Sequence, residues 1–324
     1  MRHEWDLTAN FLDNYDNLFI SPECTDGKYS FGDINSSITF NDADVIIFGI
    51  PLDVTSSFGQ GSSKGPEAIR KTSARQIETF LFEEKIDIKN KIKIYDLGDI
   101  SLPTNSGNEN LFSYLNHIIP SVMNDLILLN KTPVVLGGEH TISYFCIKPF
   151  YPQRPLLIHF DAHRDLKPLY DGMKLCHTTH FFRLIEEGYL QGNDLIQIGI
   201  RQADEKENKI AEEFGVITFD SWSIKDDLET LLKYINNVTK NRNIYISFDI
   251  DVLDMAYVPC TGTPEPFGLD PFEVIKIVKS INMSANLVGM DLVETSHKNG
   301  DYREGTLSSQ ILLRILSRDY VRHL

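Results

Sequence analysis

Cysteine is scarce in this 324-residue chain, with only four, at 24, 146, 176 and 260, and no Cys-x-x-Cys pair. Such usage excludes a disulfide-stapled secreted scaffold and predicts free thiols. Long apolar runs are missing as well. No stretch is long enough for a signal peptide or a membrane span, and the opening Met1-Arg2-His3-Glu4-Trp5-Asp6 is polar, so a cytoplasmic location without a membrane partner is expected. Positive charge is in deficit: 31 Lys and Arg stand against 46 Asp and Glu, and the net charge of −15 repels nucleic acid while favouring cationic ligands. No repeat or low-complexity tract occurs, and 42% hydrophobic with 24% charged residues is the balance of an ordinary globular chain. Strand and helix patterns alternate without a linker. They predict one α/β domain over 44–324, preceded by an irregular arm over 1–43 with a short helix near Leu7 to Tyr15.

What the chain does carry is concentrated after three strand-like runs. Leu156 to Phe160 is a short apolar run that leads straight into Asp161, His163 and Asp165. Residues two apart on an extended backbone face the same side, so these three can converge at the strand's carboxyl end, where open parallel sheets place their sites. Ile244 to Phe248 leads likewise into Asp249 and Asp251, and Pro133 to Leu136 into Gly137-Gly138-Glu139-His140, where glycines allow a tight turn. A single Asp or His after a strand is commonly a helix cap. Four Asp and two His gathered together would instead repel unless cations neutralised them, and this nitrogen and oxygen set suits manganese, with zinc, nickel and iron as other candidates.

Eight strands are expected, at 45–50, 92–96, 134–137, 156–160, 195–200, 216–219, 244–249 and 287–293. Helical patterns lie between them at 109–130, 141–150, 178–188, 205–214, 224–240, 270–281 and 304–317, after a first helix opened by Pro66. Buried strands separated by helices predict a parallel sheet between two helix layers, an α/β/α sandwich.

The runs Gly-Gly-Glu-His at 137–140, Asp-Ala-His-Arg-Asp at 161–165 and Ser-Phe-Asp-Ile-Asp-Val-Leu-Asp at 247–254 resemble the three metal-binding signatures of the ureohydrolases, the arginase and agmatinase family. Thr261-Gly262-Thr263-Pro264, Gly289 to Glu294, Gln197 to Arg201 and Gly65-Pro66-Glu67-Ala68-Ile69-Arg70 extend the resemblance from about Asp44 to Leu316. Phe58-Gly59-Gln60-Gly61 departs from the family's Arg-Pro-Gly after the Phe, and Arg164 replaces its usual small residue.

The resemblance implies the three-layer arginase-like fold and two Mn2+ per chain. One ion would be held by His140, Asp161, Asp165 and Asp249, the other by Asp161, His163, Asp249 and Asp251, about 3.5 Å apart. It implies His177 as proton shuttle, with Asp165 in the relay, and Glu294 as the carboxylate that takes a guanidinium. Thr263 would line the pocket, Asp254 would orient a ligand or cap its loop, and Arg164 would point away from the ions toward an acidic neighbour. The expected reaction is hydrolysis of a guanidino compound to urea and an amine, by a homo-oligomer if the family's trimers or hexamers are followed. Agmatine is the expected substrate because 166–176 has neither the Asn nor the Ser with which arginases hold an α-carboxylate. Lys167, Lys174 and Asp204 pull toward arginine or guanidinobutyrate. Single-zinc deacetylases of related fold lack the six-ligand set, and an inactive metal-stabilised scaffold would have no need of His177 and Glu294.

Overall fold

The computed structural model describes residues 11–20, 23–24, 27–28, 30–33, 38–89, 91–104, 107–298 and 300–321. Nine strands form one sheet: β1 (Phe19–Ile20), β2 (Val45–Ile50), β3 (Ile94–Ile100), β4 (Thr132–Gly137), β5 (Leu156–Phe160), β6 (Leu195–Ile200), β7 (Ile217–Asp220), β8 (Asn243–Asp249) and β9 (Asn286–Val293). Their order is β1-β3-β2-β4-β9-β8-β5-β6-β7. Eight run parallel, as expected; the ninth, β1, comes from the arm and pairs antiparallel with β3. Two residues of strand left no readable period, which is why the sequence showed eight. Of the helix expected near 7–15, Phe11–Asn14 is helical and 7–10 lie outside the described residues.

Alternation along the strands sends their side chains into two cores. From β2, Val45 and Ile47 enter the core that also takes Ile69 of α1 (Gly65–Gln76). Ile46, Phe48 and Ile50 enter the opposite one with Leu115 and Ile119 of α2 (Asn108–Leu128). The second face is completed by α3 (Ile142–Ile147), α4 (His180–Glu186) and α5 (Glu205–Phe214). On the first lie α6 (Ser221–Asp226), α7 (Leu228–Val238), α8 (Pro271–Ser280) and α9 (Arg303–Val321). This is the three-layer sandwich. Strands buried on both faces must sit between two helix layers, and these do.

Two expectations about element ends are corrected. The helix pattern over 224–240 is broken at Asp227, whose side chain accepts from the Thr230 N–H and starts α7 afresh, because a carboxylate there satisfies an amide that an unbroken helix would not leave free. Strand β3 does not stop at Asp96 but continues to Ile100. Its acidic residues are tolerated because buried Arg70 of α1 donates through Nε and Nη2 to Asp96 at 2.8 and 2.9 Å and through Nη1 to Asp99. Arg70→Met would leave those carboxylates uncompensated. It is expected to destabilise the fold by about 3–5 kcal/mol in denaturant unfolding, and a loss below about 1 kcal/mol would show the ion pair to be dispensable.

Candidate metal centre

The four central strands, β4, β9, β8 and β5, are adjacent and parallel, so their carboxyl ends open on one edge and carry His140, Glu294, Asp249 with Asp251, and Asp161 with its followers. The two glycines before Glu139 are needed for closeness rather than for a turn. Neither has positive φ, but a Cβ at 138 would overlap the Leu52 backbone and one at 137 the Val293 and Ile142 side chains.

The residues expected to hold metal come together. His140 Nδ1 lies 3.0 Å from Asp161 Oδ2, 3.2 Å from Asp165 Oδ2 and 3.3 Å from Asp249 Oδ2. His163 Nδ1 lies 3.0 Å from Asp251 Oδ2 and 3.4 Å from Asp161 Oδ1, so Asp161 turns one oxygen to each group. Asp249 gives Oδ2 to the first group, while its Oδ1 accepts the Asp251 N–H at 2.8 Å. Asp165 adopts a left-handed backbone, φ 55°, to bring its carboxylate into the ring.

Hydrogen bonds decide what the first group can bind. Tyr245 Oη and Ser247 Oγ both donate to Asp291, each at 2.7 Å, so Ser247 is left to accept from His140 Nε2 at 2.9 Å. Nε2–H is therefore committed to Ser247, and it is Nδ1 that faces three carboxylate oxygens; burial would lower this imidazole's pKa, but Asp161, Asp165 and Asp249 outweigh it and hold it well above the usual value by keeping a proton on Nδ1. Three carboxylates and one imidazole nitrogen facing a single buried point call for positive charge between them, and a metal ion taking the place of the Nδ1 proton would satisfy all four; the residues present fit a metal. Burial and neighbouring Asp161 push Asp165 up to about 7, and burial with Asp251 and Asp161 pushes Asp249 well up. Burial raises Asp161 too, but the surrounding His159, His140 and His163 outweigh it and hold that carboxyl well below its usual range.

Beside the cluster, His177 precedes α4. Its Nδ1 lies 3.2 Å from Thr55 Oγ1 and its Nε2 3.3 Å from Ser57 Oγ. Thr55 in turn donates to Glu139 Oε1 at 2.7 Å, so it accepts from His177 Nδ1–H and leaves Nε2 with the free pair. Burial, followed by the positive imidazole neighbours, pushes His177 down to about 4. The loop 58–61 that follows is anchored by Gly59 N–H on the Gly262 carbonyl and Gly61 N–H on Asp53 Oδ2.

Glu294 directly follows β9 with φ 57° and accepts the His140 N–H on Oε1 at 2.8 Å. Burial and nearby Glu139 push its carboxyl well up, so a cation beside it would be welcome. Thr263 Oγ1 donates to Asp251 Oδ2 at 3.3 Å, and Asp254 caps its loop by accepting from Ala256 and Gly268. Arg164 does point away from the cluster: its hydrogen bonds go to Asn208, Gln197 and Thr218, and the acidic neighbours Glu207, Asp220 and Glu212 act on its charge without hydrogen-bonding it.

Three buried residues were not foreseen. His159 lies with Nε2 2.8 Å from Asp161 Oδ2 and groups with His140, Asp161 and Asp165 as a possible ligand set; the alternation of 161, 163 and 165, carried one step back, would have found it. Ring packing brings His180 to 4.4 Å from His140, centroid to centroid. Glu304 of α9 accepts from the Cys260, Thr261 and Ser296 N–H groups, tying the Thr261–Thr263 loop to the turn after Glu294. No local pattern marks it, because its partners lie 8 to 44 residues away.

A parallel sheet with a buried cluster of imidazoles and carboxylates at its carboxyl edge defines an α/β protein with a candidate metal-binding centre. Residues 43–316 match the family model described as the arginase family. Agmatinase from Bacillus anthracis is 33% identical over 268 residues, covering 81% of this chain and 87% of that protein. The agmatine ureohydrolase of Thermoplasma volcanium superposes with a TM-score of 0.77 at 29% identity, over 90% of this chain and 95% of its own. The proclavaminate amidino hydrolase of Streptomyces clavuligerus does so with 0.76 at 27% identity, over 87% and 93%. The chain belongs to the arginase family and is an agmatinase-like ureohydrolase.

Proposed function

We propose that the chain hydrolyses agmatine to putrescine and urea with two Mn2+ held by His140, Asp161, His163, Asp165, Asp249 and Asp251. The observation that carries the metal reading is His140 Nδ1 aimed, with three carboxylate oxygens, at one buried point. Two divalent ions held there would supply a hydrolytic nucleophile from water at neutral pH and stabilise its oxygen as that oxygen bonds to the guanidino carbon. Glu294 accepts N–H groups of the guanidinium and orients it. His177, hydrogen-bonded to Thr55 through Nδ1, uses Nε2 to receive a proton and pass it to the amine nitrogen as its C–N bond breaks, with Asp165 in the relay. The same proposal includes a cytoplasmic homo-oligomer, a trimer or hexamer. Among the described residues no helix is long and apolar enough to cross a membrane.

Agmatine is favoured over arginine by the pairing of Lys167. Its Nζ lies 2.6 Å from Asp204 Oδ2 and 2.8 Å from Glu207 Oε2, so the lysine is committed to anions of its own chain. Asp204 is likewise engaged, closing a capping box with Glu207 at the start of α5. A substrate carboxylate placed there would meet Asp204 and Glu207 in place of a free cation, and discrimination against arginine is expected to be on the order of a hundredfold or more. Urea release from agmatine, arginine and 4-guanidinobutyrate under one manganese loading tests it through kcat/KM. Preference for arginine would overturn the substrate and leave the ureohydrolase standing. Glu294→Gln is expected to raise KM and lower kcat together with metal content unchanged; loss of metal would refute its role in guanidinium binding.

A further inference from the structure

A hydrogen-bonded line runs from the outer helix layer to the metal cluster through side chains the reaction does not use. Arg164 donates from Nε to Asn208 Oδ1 at 2.7 Å, which ties it to α5, and from Nη1 to Thr218 Oγ1 at 2.9 Å, which ties it to β7. The same Nη1 donates to Gln197 Oε1 at 3.0 Å. Gln197 Nε2 lies 2.7 Å from the Arg164 carbonyl and 3.2 Å from His159 Nδ1. His159 Nε2 lies 2.8 Å from Asp161 Oδ2. Gln197 and His159 are fully buried, so water cannot stand in for any of these partners.

The direction of each bond follows from chemistry. A guanidinium can only donate, so the Gln197 atom facing it is the carbonyl oxygen; a backbone carbonyl can only accept, so the atom facing that is the amide nitrogen. Both Arg164 groups therefore set the Gln197 amide the same way round. Its N–H then points at His159 Nδ1, which must hold a lone pair, and the ring proton is left on Nε2, pointing at Asp161. With the proton there, Asp161 Oδ2 is held by a donor. With the proton on Nδ1, two lone pairs would face each other.

We infer that Arg164, acting through Gln197, selects the His159 tautomer that holds the Asp161 carboxylate in place for metal. Arg164, Gln197 and His159 are then positioning residues of the cluster. The reading rests on Asp161 being a ligand, as proposed above. It also gives this chain's unusual Arg164 side chain a task, a second hold on the Gln197 amide beside the backbone carbonyl that any residue at 164 would supply.

The test is direct observation of His159 by 15N spectroscopy in protein loaded with a diamagnetic divalent ion, together with metal affinity by calorimetric titration. In the wild type, Nδ1 is expected unprotonated and Nε2 protonated. Gln197→Glu, near in shape and still paired with Arg164, presents only acceptors and is expected to move a proton onto Nδ1. Gln197→Glu and Arg164→Met are each expected to weaken divalent-ion binding by about 10- to 100-fold, and Arg164→Lys to restore part of the loss in the second. A wild-type His159 protonated on Nδ1 overturns the inference whatever the variants do, including variants that fail to fold. Wild-type affinity in both folded variants overturns it as well. A wild-type chain that binds no divalent ion would instead overturn the metal reading, and the tautomer measured in it still reports on Gln197.

Discussion

Asp161→Asn is expected to empty the cluster. Its two oxygens face His140 and His163 separately, so one neutral amide in its place removes an anion from both groups at once. Metal analysis after manganese loading should fall from about two ions per chain to fewer than one, and urea release should drop by more than the ~10²–10³-fold that loss of one electrostatic donor costs an active site. His140→Ala should weaken mainly one ion, since His140 belongs to the first group alone. Equal losses in the two variants would refute the split of Asp161 between two sites.

His177→Ala is expected to lower kcat by about 10²–10⁴-fold while metal content stays at the wild-type level. The ring touches Thr55 and Ser57, and none of the carboxylates of the cluster is among its hydrogen-bond partners. Loss of metal in this variant would show His177 to be structural. A second signature is thermodynamic. Its pKa is pushed from 6.5 down to about 4 by burial first, so between those values the unfolded chain binds the proton that the folded one refuses. Stability therefore falls as pH drops through that window and is untouched by this group above it, and His177→Asn should flatten that part of the pH-stability curve.

Much of the site was legible because its residues stand at fixed steps from strands that are themselves easy to read. Asp161, His163 and Asp165 follow an apolar run whose ends, 156 and 160, are those of the strand observed. Local spacing does not extend to residues supplied from elsewhere. Thr55 and Ser57, which hold His177 from 122 and 120 residues away, could be found only once the loop lay over the edge of the sheet. Glu304 is of the same kind. Arg70 explains how β3 runs on past Asp96: a buried acid is unfavourable alone, and the partner that compensates it is on another element, out of reach of local spacing. Lys167 and Asp204, which separately suggested a carboxylate and an amine subsite, proved to satisfy each other.

Asp165 and Glu294 both carry left-handed backbones, a conformation that costs a residue with a Cβ on the order of 1–2 kcal/mol. Glycine would adopt it freely and asparagine with less strain. The two positions therefore set selection for turnover against selection for folding. A duplicated copy of this chain, freed from the need to turn over substrate, would gain stability by drifting to glycine or asparagine at 165 and 294. An acid kept at either place marks a lineage still under demand for catalysis.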